Sequence, residues 1–95
     1  MLRAQLDTEI SNKALKSGKL QEVVESMMDR LKPEAAYFGP SEGVRECTFV
    51  FDMQDSSSMP TLAEPLFQEL GAKVEIHPVM NPEDLQKGLA SLKKS

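Results

Sequence analysis

Hydrophobic and polar positions alternate most regularly over Glu46-Cys47-Thr48-Phe49-Val50-Phe51-Asp52-Met53. Cys47, Phe49, Phe51 and Met53 share one side at a spacing of two, and Glu46, Thr48, Val50 and Asp52 take the other. This alternation, rich in aromatic and β-branched residues, predicts a strand. A weaker alternation from Met1 to Leu6 predicts a first strand, with Leu2, Ala4 and Leu6 on one face and Arg3, Gln5 and Asp7 on the other. Asp7 or Thr8 then ends the strand and offers a side-chain oxygen to the free amides of a helix. Ile10, Ala14, Ser17, Leu20, Val24, Met27 and Leu31 recur every three or four residues, which is one stripe of a helix. Gly18 interrupts that stripe at a cost of about 1 kcal/mol relative to Ala. The prediction is a short first turn or helix, then a firm helix from Lys19 to Leu31 with Ser17 as its cap. Pro33 stops it, because the residue before a proline avoids helical angles.

Glu34 to Phe38 predicts a second strand, and the turn formers of Gly39-Pro40-Ser41-Glu42-Gly43 join it to the strand at Glu46 as a hairpin with a loop of moderate length. Asp55-Ser56-Ser57-Ser58 reads as a polar loop. Thr61 and Glu64 have the spacing of a capping box, which places Pro65 in the first turn of a helix lined by Leu62, Leu66, Phe67 and Leu70 and closed by Gly71. Lys73 to Val79 alternates and predicts a fourth strand. Asn81-Pro82-Glu83-Asp84 supplies a cap, a first-turn proline and first-turn acids for a last helix. Leu85, Leu89 and Leu92 line one side of that helix, and Lys93 and Lys94 suit its negative end.

The order β-α-β-β-α-β plus a terminal helix is the pattern of a ferredoxin-like α+β domain, an antiparallel sheet with its helices on one face. No linker, repeat or low-complexity tract divides the chain, so one domain over residues 1–95 is expected. With Leu2, Ala4, Leu6, Cys47, Phe49, Phe51, Val74 and Ile76 toward the helices, the other face receives Arg3, Gln5, Tyr37, Thr48, Val50, Asp52, Glu75, His77 and Val79.

Four short stretches carry a resemblance: Lys32-Pro33-Glu34-Ala35-Ala36-Tyr37-Phe38, Phe51-Asp52-Met53, Ala63-Glu64-Pro65 and Pro78-Val79-Met80. Together they resemble a group of short uncharacterised bacterial proteins within the dimeric α+β-barrel superfamily, which also holds muconolactone-isomerase-like enzymes and cofactorless monooxygenases. The resemblance spans nearly the whole chain. It implies a homodimer, or a higher oligomer built from it, in which two sheets face each other as a barrel. It implies no particular reaction and no catalytic residue.

Composition narrows the classes of function. A net charge of −4, with Lys93-Lys94 the only adjacent basic pair, argues against nucleic acid as partner. A hydrophobic content of 40% argues against disorder, while 5% aromatics and no Trp leave a core of Leu, Val, Met and Ala that gains from a partner subunit. A single Cys cannot form an internal disulfide, which fits a reducing cytoplasm. No apolar run approaches membrane-spanning length, and the first residues are unlike a signal peptide.

The candidate ligand-binding residues are Arg3, Tyr37, Glu75 and His77. His77 is the one imidazole, a side chain suited to act as acid or base, and it sits two residues from Glu75; the plainer account is a strand histidine at a subunit boundary or a satisfied polar residue. In a closed dimer Arg3 on a central strand needs a carboxylate, most simply Glu75 on the neighbouring strand, or an anionic ligand; on a face open to water it is a solvated charge. Tyr37 is either a packing residue with a polar tip or a hydroxyl donor into the same space. Cys47 faces the helices and reads as a small core residue, and Arg45 reads as a surface charge near the rim. One His, one Cys and no paired ligand spacing give no metal site. No cofactor motif is present: Ser56-Ser57-Ser58 has neither a nearby base nor a nucleophile elbow, and no glycine loop cradles a phosphate. Two functions follow. One is a cavity on the inner sheet face that binds or transforms a small polar or aromatic metabolite. The other is a non-catalytic assembly module with that face filled by the partner subunit.

Overall fold

The computed structural model describes residues 1–94. The elements are β1 (Leu2–Gln5), α1 (Thr8–Ser17), α2 (Lys19–Leu31), β2 (Ala35–Ser41), β3 (Val44–Val50), α3 (Met59–Leu70), β4 (Lys73–Ile76) and α4 (Pro82–Lys94). They form a mixed α+β structure with a four-stranded antiparallel sheet in the order β2-β3-β1-β4. No helix is long and apolar enough to cross a membrane among the described residues.

Strand parity decides which side chains are buried. Leu2, Ala4, Leu6, Cys47 and Phe49 point to one face and are almost fully buried, with Val74 and Ile76 packed against them at the β4 edge. Ala14 of α1, Val23, Met27 and Leu31 of α2, and Leu62, Leu66 and Leu70 of α3 close over that face. Burying each large aliphatic side chain contributes about 1.5–3 kcal/mol, so this layer supplies most of the stabilisation.

The first helical stretch divides at Gly18, whose φ of +84° is left-handed. Asp7 caps α1 by accepting from the Ile10 amide at 2.9 Å. The break falls at the glycine where the sequence places it and divides the apolar stripe between two helices. Ile10 is 43% exposed and Ser11 and Val23 are buried instead. Ser17 Oγ lies 3.4 Å from the Lys19 amide, but the residue capping α2 is Gly18.

Four expected boundaries move. The β2–β3 hairpin is tighter than its Gly and Pro residues suggest. Ser41 pairs with Val44, leaving Glu42 and Gly43, both at positive φ, as a two-residue turn. Pro40 is tolerated because β2 is an edge strand. Strand β3 ends at Val50, so Phe51, Asp52 and Met53 leave the sheet, and β4 ends at Ile76, so Val79 lies in the connection to α4. Asp52 and Val79 are therefore not members of the open sheet face.

The capping box at Thr61 is also absent. Asp55 instead caps a 3₁₀ turn over Ser56–Ser58, accepting from the Ser57 amide at 3.0 Å, and that bond holds its carboxyl below the usual carboxylate range. The turn runs straight into α3 at Met59. Pro65 consequently falls inside α3 and removes the amide that would bond the Thr61 carbonyl. Arg30 of α2 donates to that carbonyl at 3.3 Å, so the defect becomes a tie between two helices.

The last helix is capped as its sequence predicts. The Asp84 amide donates to Asn81 Oδ1 at 2.8 Å, and the Asn81 amide donates back to Asp84 Oδ2 at 3.4 Å. Yet α4 makes no substantial packing with any other element, and every residue from Pro82 to Lys93 is exposed. The side chain of Lys94 lies outside the described residues. The molecule extends 55 Å along its longest axis.

Gly71 ends α3 at φ +57°, and a Cβ there would lie 2.6 Å from Ile10 Cδ1. Ile10 is at the surface and can rotate away, while Asp7 Cβ at 3.3 Å must give by a few tenths of an ångström, so a small shift adds to the backbone strain. Gly71→Ala is expected to lower the unfolding free energy by about 1–2 kcal/mol, read as a reduced urea midpoint with unchanged slope.

Candidate functional site

The open face of the sheet is built by the complementary parity. Tyr37 pairs with Thr48, Thr48 with Arg3, and Arg3 with Glu75, so these four residues form one row across all four strands. Three inter-strand steps make that row about 14 Å long. His77 lies just beyond β4, where its amide donates to the Met1 carbonyl at 2.9 Å and the Met1 amino group donates to its carbonyl at 2.7 Å. The main chain thus holds His77 in register with the sheet, and its Nε2 lies 3.3 Å from Glu75 Oε2. Three expected site residues, Arg3, Tyr37 and Glu75, share the row. The fourth, His77, joins through Glu75.

The carboxylate beside Arg3 is not the expected one. Arg3 Nε lies 2.9 Å from Glu46 Oε1 on β3, while Glu75 turns to His77. Glu46 stands diagonally to Arg3 across the β1–β3 pair, a separation that long side chains span. Gln5 donates to Glu46 at 3.4 Å and to Glu42 at the same distance. The Glu46 side chain is 18% exposed against 36% for Arg3, so the pair is half-sheltered. A guanidinium carries five N–H donors and one carboxylate takes at most two, which leaves Arg3 capacity for a further acceptor. Glu46 was visible in the sequence as a residue on the same face, but only the register of β1 against β3 brings it to Arg3.

The row is open to solvent within one chain: Tyr37 is 67% exposed. A groove of about 420 Å³ lies at the end of the sheet, lined by Met1, Phe51, Asp52, Met59, Ile76 and His77 among others. Of the expected site residues it takes in His77 alone.

Two residues on the helix side have definite roles. Cys47 is 3% exposed, and burial, aided by the charge of Glu46, pushes its thiol up to about 11. It is a protonated core residue at neutral pH and no nucleophile. Arg45, expected at the surface, is half-buried and donates from Nη1 to Ser11 Oγ at 2.7 Å, fastening β3 to α1. The signal for this was the small polar Ser11 one residue from the apolar stripe. No group of three His, Cys, Asp or Glu side chains converges as a metal site among the described residues.

Comparison of the chain with protein-family models, with curated proteins and with solved structures returns no match.

The raised Cys47 value links to stability with a definite sign. Below pH 9, the ordinary value of a thiol, both states keep the proton and the full stability is present. Between pH 9 and about 11 only the unfolded chain releases it, so folding is weakened by about 3 kcal/mol over that interval. Urea midpoints measured from pH 8 to 11 are expected to fall more steeply for the natural chain than for Cys47→Ala; parallel curves would contradict the assignment.

Proposed function

We propose that the chain is a single ferredoxin-like domain that works as a self-associating module, its open sheet face turned toward that of a second copy to form a dimeric α+β barrel. One observation carries this reading. The accessible surface is 6736 Å². A compact monomer of 10.5 kDa has about 5,400 Å². The surplus, about 1,300 Å², is of the size one subunit buries in a stable dimer. The radius of gyration of 15.7 Å, against about 12 Å for a compact chain of this length, reflects the unpacked α4. The antiparallel order with β1 and β3 in the middle supports the ferredoxin-like arrangement, and the resemblance to short bacterial proteins of the superfamily agrees with it. A single buried Cys without a disulfide fits a cytoplasmic setting.

A second reading rests on the Tyr37–Thr48–Arg3–Glu75 row. If the two sheets leave space between them, Arg3 with its spare donors, the Tyr37 hydroxyl and the Glu75–His77 pair are suited to hold a small polar or aromatic metabolite bearing an anion. His77 is then the group available for proton transfer.

Val50 tests the assembly directly, because it faces outward from β3 opposite Ala35. Val50→Asp would place a charge in the dimer seam and is expected to shift sedimentation from dimer to monomer with an unchanged helical circular dichroism spectrum. A dimer that survives the substitution removes the open face as the interface. For the second reading, a thermal-shift screen of aliphatic and aromatic carboxylates should find a stabiliser whose effect is lost in Arg3→Ala. If no carboxylate stabilises the chain, the assembly reading stands alone.

A further inference from the structure

We infer that α4 seats its leucine stripe in the groove between α2 and the β2 edge of a second copy. The inference rests on the self-association proposed above and assigns it a second contact, on the helix side of the sheet.

Two apolar surfaces of the same chain are left uncovered, and they match. The first is the stripe of α4, where Leu85 is 45% and Leu89 51% exposed. The second arises because α1, α2 and α3 cover the sheet from β3 to β4 and stop short of β2. The helix-side face of β2 is only partly covered there: Ala36 packs against the core and the Phe38 ring meets Phe49 edge-on at 5.8 Å, yet Phe38, opposite Cys47, is still 55% exposed. A groove of about 370 Å³ follows, walled by Leu20 and Val24 of α2 and by Phe38 and Pro40 of β2. On the helical wheel Met28, 39% exposed, continues the α2 wall one turn beyond Val24. That wall is about 12 Å long from Leu20 to Met28, and the stripe from Leu85 to Leu92 is about 10 Å.

Charge sets the orientation. Glu25 follows Val24 on the outer side of α2, where Gln21 donates to it at 3.1 Å, and Lys93 borders the stripe one turn after Leu89. Seating α4 brings the two signs together at the exposed rim. It also covers part of the surplus surface that a sheet-to-sheet contact cannot reach, since the groove lies on the opposite side of the sheet from Arg3 and Tyr37. Within one chain the start of α4, at Asn81 and Asp84, borders a concavity with Lys32, Glu34 and Val50 at the end of the sheet, and α4 makes no substantial packing with α2 or β2.

The test uses full-length chains carrying one new cysteine each, Glu25→Cys in one and Lys93→Cys in the other. Cys47 is buried and protonated and stays silent, which the natural chain verifies. Treating the mixed dimer with a short bis-maleimide is expected to give several-fold more cross-linked pair than either variant alone, and Leu89→Ser in the Lys93→Cys chain should abolish it. Three results overturn the inference. Lys93→Cys chains linking mainly to each other would mean that α4 pairs with α4. The two changes placed in one chain and linking internally at high dilution would mean that α4 folds back on its own groove. A natural-chain dimer that yields no cross-link in the mixed sample would remove the α4 contact while leaving the sheet-face dimer intact. A chain that sediments as a monomer before any substitution would remove both.

Discussion

Everything else in the molecule depends on the burial of one face of the sheet. Leu2 and Ala4 on β1 and Cys47 and Phe49 on β3 occupy the two central strands, and all four are nearly inaccessible to water. Their alternation fixes register, because a slip of one residue would exchange these apolar side chains for Arg3, Gln5, Glu46 and Thr48. Burying Arg3 or Glu46 beneath α1–α3 without a partner would cost several kcal/mol, far more than a single hydrogen bond returns. The polar row on the open face is thus a direct consequence of the packing on the other.

That consequence explains how much of the molecule was legible. Period-two alternation assigned Leu2, Ala4, Cys47 and Phe49 to the helix side and Arg3, Tyr37 and Glu75 to the other, as the register bears out. Local signals also held where one mechanism acted alone: Asp7 caps α1, Gly18 divides α1 from α2, and Asn81 with Asp84 opens α4. They failed where two competed. Gly39 and Pro40 resemble a loop, yet an edge strand tolerates both, so β2 runs on to Ser41. Thr61 and Glu64 have capping-box spacing, but the 3₁₀ turn at Ser56–Ser58 starts α3 earlier and leaves Thr61 inside it. The partner of Arg3 was misassigned because alternation gives the face and not the diagonal. Glu75 is directly opposite, whereas Glu46 is the carboxylate that reaches Nε.

The same limit applies to the ties between layers. Arg45 with Ser11, and Arg30 with the Thr61 carbonyl, join elements distant in the chain, and nothing periodic marks them. Both meet an acceptor that the packing would otherwise leave open: the oxygen of a fully buried Ser11, whose own proton goes to the Thr8 carbonyl, and a helical carbonyl deprived of its donor by Pro65. Polar groups made homeless by backbone geometry are a better guide to such long-range contacts than charge counting, because each leaves a defined donor or acceptor to be met.

The terminal helix presents the opposite case, a segment whose sequence is satisfied locally and unsatisfied globally. The Asn81–Asp84 box and the Glu83–Lys87 pair each add between a few tenths and about 1 kcal/mol, while Gly88 in the middle costs about as much as the better of them. Thirteen residues fall within the range in which an isolated helix is marginal in water. Local terms therefore nearly cancel, and burial of the leucine stripe is the contribution left to decide whether the helix persists. The body of the same chain does not provide that burial. A surface that does must be apolar, about two to three turns long and free of its own cover, and the strip between α2 and β2 has those three properties. Under the proposed association, the order of α4 and the pairing of two chains are one equilibrium, in which the helix is firm to the extent that its leucines are covered.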